Sequence, residues 1–117
     1  MKPIVEYLVK NTVIITRNSC QGHPVTEGGN EVTSSYLMLT GDESHYLLVS
    51  KWVLLASHAL RHIFGEPVIQ LELGEAITYD EKSWYPCFTI RSTDFSNEED
   101  RKVYHDTLIL TLKQVAA

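Results

Sequence analysis

The chain has 117 residues, 44% of them hydrophobic and 21% charged, with 15 acidic against 10 basic side chains and a formal net charge of −5. That length and balance describe one globular domain, spanning 1–117, that can bury a core without disulfide staples. The acidity opposes non-specific binding to nucleic acid, which relies on Lys and Arg to neutralise phosphates, and no apolar run reaches the roughly 18 residues needed to cross a membrane.

The first ten residues, MKPIVEYLVK, lack the long apolar stretch and small-residue cleavage site of a signal peptide, because Glu6 and Lys10 interrupt them. A cytoplasmic location is the expectation. PIVEYLV and then TVIIT are rich in β-branched and aromatic residues. They predict two strands turning at Lys10-Asn11, or one bent strand. Residues 17–31, RNSCQGHPVTEGGNE, are polar and Gly-rich and predict a long loop, a kind of connection usually kept for function or left disordered. TSSYLMLT and HYLLVS flank GDES, which predicts a hairpin of two central strands, apolar on both faces.

The strongest local signal is a helix over about 51–64. Ser50 is a good N-cap, Gly65 a good C′ residue, and Pro67 forbids continuation. At about 100° per residue, Trp52, Val53, Leu55, Ala56, Ala59, Leu60, Ile63 and Phe64 share one face, with Lys51, Leu54, His58, Arg61 and His62 opposite. VIQLEL alternates as a strand, and AITYD and WYPCFTIRS form a second hairpin across EKS. Pro86 lacks a backbone donor, which places that last strand at an edge or a bulge. Ser96 and Glu99 form a capping box for a short helix near 97–105, and TLILTLK alternates as a final strand over 107–115, with one long helix as the competing reading of the C-terminus. The expected fold is α+β: a mostly antiparallel, meandering sheet of about six or seven strands, one amphipathic helix packed on it, and a second, short helix.

His58 and His62, one helical turn apart, point the same way and can share a transition-metal ion. Cys20 and His23 in the 17–31 loop would complete a tetrahedral zinc set with them, since zinc takes thiolate and imidazole ligands in fours. Position 59 is Ala, so the carboxylate base of a His-Glu-x-x-His site is missing. A solvated helix surface explains the same pair without a ligand. Between these stands a binding surface: Lys51, Arg61 and two titratable imidazoles surround Leu54 and suit an anion or an acidic partner surface.

Catalytic groupings are thin. Cys20 with His23 is a thiolate–imidazole pair on a flexible loop, and Asp42, Glu43 and His45 sit where turn chemistry alone explains Asp and Ser. Cys87 reads as a small packed hydrophobe. Trp84, Tyr85, Phe88 and Ile90 read as core or interface packing. The leading expectation is therefore a small, soluble, non-catalytic binding protein (an accessory, inhibitor, immunity or chaperone-like factor) acting through a protein surface as a homodimer. One alternative is a small enzyme or small-ligand binder with a pocket between the sheet and the 17–31 loop, around His23, Cys20 and His45. The other is a zinc-stabilised module; otherwise no cofactor is expected.

Overall fold

The computed structural model describes residues 2–11, 15–20, 34–41, 43–74, 77–78, 84–85, 87–95 and 97–116. In chain order the elements are α1 (Lys2–Asn11), β1 (Ile15–Cys20), β2 (Tyr36–Thr40), α2 (Glu43–Phe64), β3 (Ile69–Leu73), β4 (Ile77–Thr78), β5 (Trp84–Tyr85), β6 (Cys87–Ser92) and α3 (Glu98–Ala116). The fold is α+β, but the expected meandering sheet of six or seven strands is replaced by a smaller antiparallel sheet and three helices. β1-β2-β6-β3 form that sheet, and β2, β6 and β3 are the strands whose side chains are described; β4 and β5 pair separately as a short ribbon.

The chain does not meander. β2 and β3 both run antiparallel to β6, which lies between them, so β2 and β3 are mutually parallel and α2 makes the crossover that parallel strands require. β6 is thus central, not the edge that Pro86 suggested; Pro86 itself lies outside the described residues. α3 packs between α1 and α2, while α1 leans on β1 and α2 on β3 and β6. The helix layer therefore follows the strand order from one sheet edge to the other.

Three segments expected as strands are helical, each because its burial follows a 3.6-residue period. In α1, Ile4 and Leu8 are fully buried one turn apart, Val5 and Tyr7 are half-buried, and Glu6 and Lys10 face out. Pro3 is tolerated because a first-turn residue has no intrahelical N–H bond to lose. The strand expected from TVIIT is part of β1, which also takes in residues 17–20 of the expected long loop. Residues 21–33 of that loop lie outside the described residues.

HYLLVS forms the first two turns of α2, so Ser50 is an interior residue and no cap. Val49 joins Trp52, Val53, Ala56 and Leu60 on one sealed stripe, which extends the 51–64 pattern backwards. The far end behaves as expected. Gly65 adopts a φ of 78° and donates its N–H to the Arg61 carbonyl at 2.8 Å, a left-handed helix terminus.

α3 is one long helix, the competing reading of the C-terminus, and it replaces the short helix at 97–105 and the strand at 107–115. Tyr104, Leu108 and Leu112 are buried at successive turns, while Leu110 is 59% exposed, which an inward-facing strand alternation forbids. The threonines that suggested a strand are satisfied inside the helix. Thr107 Oγ1 donates to the Val103 carbonyl and Thr111 Oγ1 to the Thr107 carbonyl, each at 2.8 Å. Asn97 caps the helix, its Oδ1 accepting the Asp100 N–H at 2.8 Å; Ser96 of the expected capping box lies outside the described residues.

One apolar cluster joins the three helices to β2 and β6: Ile4 and Leu8, Leu37 and Leu39, Trp52 and Leu60, Phe88 and Ile90, Leu108 and Leu112, with Ile69 and Leu71 of β3 packed against it. Trp52 Nε1 donates to the Leu108 carbonyl at 2.9 Å and ties α2 to α3. At one end of the sheet Tyr104 hydrogen-bonds Ser35, whose N–H donates to Ser92 Oγ at 2.8 Å, and Ser92 Oγ donates onward to the Thr93 carbonyl at 2.9 Å. Burial raises the Tyr104 phenol above its ordinary range, and the Ser35 bond opposes that shift.

Candidate functional site

α2 is 22 residues long and contains a single carboxylate, Glu43 at its first position, in a chain with 15 acidic residues. The inner side of the helix is consumed by the core. Its outer side carries Leu47, Lys51, Leu54, Leu55, His58, Arg61 and His62, all exposed. The five residues singled out from the sequence, Lys51, Leu54, His58, Arg61 and His62, are therefore brought together on one open face. Leu54 is 71% exposed and Leu47, seven positions earlier on the same stripe, 61%. An apolar pair ringed by cations and imidazoles is an arrangement that can hold an acidic surface with a greasy centre.

Sequence reasoning misplaced two residues of this helix and missed one. Leu55 and Ile63 were expected inside, yet both are exposed, because only about half the helix circumference is covered. Leu47 was overlooked because its segment read as a strand. The sevenfold spacing from Leu54 to Leu47, which returns to the same helix face, was the available signal.

The proposed zinc ligands are not assembled among the described residues. Cys20 ends β1, opposite Tyr36, at the sheet edge away from the β3 edge over which α2 packs. The Cys20 side chain and His23 lie outside the described residues, and among those described no three His, Cys, Asp or Glu groups converge. Asp42 and the Glu43 side chain also lie outside them. His45 is half-buried against Gly41: a Cβ on that glycine would come within 2.6 Å of the His45 Cβ. Cys87 is buried, as its strand setting suggested.

Two small cavities are described. One of about 270 Å³ lies between α1 and α3, lined by Pro3, Glu6, Tyr7, Lys10, Ile109 and Lys113, with the Lys113 ammonium 6.0 Å from the Tyr7 ring centre. The other, about 150 Å³, lies where β3 begins and β6 ends. Both fall below the roughly 300–1,000 Å³ of ordinary ligand sites. The pocket expected beside the 17–31 loop falls largely outside the described residues.

No described helix is long and apolar enough to cross a membrane. No family model, curated protein or solved structure matches the chain.

Proposed function

We propose that the chain is a small non-catalytic binding protein that works through the outer face of α2 and does so as a homodimer. Leu54 carries the reading: a leucine left 71% exposed amid Lys51, His58, Arg61 and His62, on a helix whose lone carboxylate is its first residue. Burying such a side chain against a partner contributes about 2 kcal/mol. The surrounding cations, set on an acidic molecule, favour an acidic protein surface over a neutral one and speed its approach.

Affinity capture with the wild-type chain and with a Lys51→Glu variant tests this. Lys51 is exposed, so the variant keeps its fold. The expected result is a captured partner whose recovery falls roughly tenfold or more in the variant and also falls as salt rises. Equal capture by the two proteins, insensitive to salt, contradicts the reading.

A further inference from the structure

We propose that β3 pairs antiparallel with β3 of a second copy about a twofold axis at Leu71, joining two four-stranded sheets into one. The inference rests on the self-association in the proposed function and gives it a geometry.

The hydrogen-bonding phase of β3 decides which of its groups are free. Gly74 N–H donates to the Cys87 carbonyl at 2.8 Å and Thr93 N–H to the Val68 carbonyl at 3.0 Å. Because such bonds fall on every second residue of an antiparallel pair, Gln70 and Glu72 also turn their backbone groups toward β6. Ile69, Leu71 and Leu73 then turn theirs to the open edge. Among the described residues nothing bonds these groups. A twofold axis at Leu71 sets Leu71 against Leu71 of the second copy, and Ile69 against its Leu73. Every outward N–H of one strand then meets an outward carbonyl of the other.

The two edges of the sheet are not alike. β1 carries a register shift between Thr16 and Asn18, with Arg17 between them, and bulges and cations are common ways of blocking an edge. β3 has none of these devices: IQLEL contains no Pro, Gly, Lys or bulge. Its one carboxylate, Glu72, is held by Arg91 at 3.4 Å. Leu73, at the end of this bare strand, is 64% exposed.

The helix above the strand fits the same symmetry. Trp52 faces α3, whereas the Tyr46 ring lies 5.5 Å from Phe88 of the sheet. The flank of α2 that continues past Tyr46, away from α3, presents Leu47, Leu54 and Arg61 at intervals of seven, all exposed, with half-buried Ser50 and Ser57 between them and the Ser50 hydroxyl already buried within the chain. Strands lie about 4.8 Å apart, so two copies of α2, each over its own β3 and β6, stand roughly 10 Å apart, the spacing of packed helices. Leu47 and Leu54 fill that seam and the serines allow close approach. Leu54 and Arg61 are then shared with the second copy, while Lys51, His58 and His62 stay uncovered on both sides of the seam.

Sedimentation velocity combined with residue-resolved amide exchange tests the proposal on four proteins. The wild type is expected to sediment with the mass of two chains and to protect the amides of Ile69, Leu71 and Leu73 as concentration rises. Leu73→Pro removes an edge donor that β6 does not use, and Leu54→Lys charges the seam at an exposed helix position; each is expected to weaken self-association about tenfold or more. Leu110→Lys, on exposed α3, is expected to leave it unchanged. A wild-type chain that stays single overturns both this geometry and self-association itself. A dimer that leaves the three amides unprotected, or that ignores Leu73→Pro and Leu54→Lys, overturns the geometry alone.

Discussion

His105 on α3 is shifted by its surroundings. Its Nε2 is buried without a hydrogen-bond partner among the described residues, and its pKa is lowered to about 4, by burial first and then by nearby positive charge including Arg101. The unfolded chain protonates this imidazole near pH 6.5, the folded chain only near 4. Between those values the unfolded state binds more protons, so the His105 contribution is fully present above pH 6.5 and is lost as pH falls toward 4. Urea midpoints from pH 7.5 to 4 are expected to fall less steeply in His105→Gln than in the wild type; parallel profiles would contradict this. Gly41 is constrained differently. A methyl there meets the Cβ and Cγ of His45 at 2.6 and 2.7 Å, close to the helix backbone where little can yield. Gly41→Ala is expected to destabilise by about 1–3 kcal/mol in thermal unfolding, and an unchanged midpoint would show that the approach is looser than described.

The elements show what was legible and why the rest was not. The second half of α2 could be read because Gly65 and Pro67 end it unambiguously and its apolar positions repeat at helical spacing. Its first half could not. HYLLVS is apolar on both faces, so periodicity does not separate a buried strand from a helix with an exposed apolar flank. In α1, β-branched Ile4 and Val5 argued for a strand by composition, yet the spacing of Ile4 and Leu8 held the helical answer and tertiary burial overrode propensity. In α3, alternating Leu and Thr imitated a strand because the threonine hydroxyls could bond back along a helix instead. The five-residue face on α2 was legible because surface residues of a capped helix can be placed from the sequence alone. The β3 edge was not, since strand order sets which backbone groups stay free. Gly65 gives an element-scale test. Its positive φ is strained for any residue with a Cβ although no atom stands in the way, so Gly65→Ala is expected to lower stability by about 1 kcal/mol through backbone strain alone. A stabilised variant would refute that terminus.

At the scale of the whole molecule the charge is divided unevenly. The protein carries −5 overall, yet its longest helix holds one carboxylate beside Lys51, Arg61 and three histidines. The core accounts for the inner side of that helix and leaves the cations and leucines of the outer side without an internal role. The proposed edge pairing through β3 draws Leu54 and Arg61 into the seam between the copies, so a further partner would meet the crest that stays open, Lys51, His58 and His62. Both rest on α2 lying with Lys51, His58 and His62 turned to solvent. Diethylpyrocarbonate footprinting, read residue by residue, tests that orientation most directly. His58 and His62 are expected to be modified several-fold faster than half-buried His105. His58 and His62 reacting as slowly as His105 would contradict it.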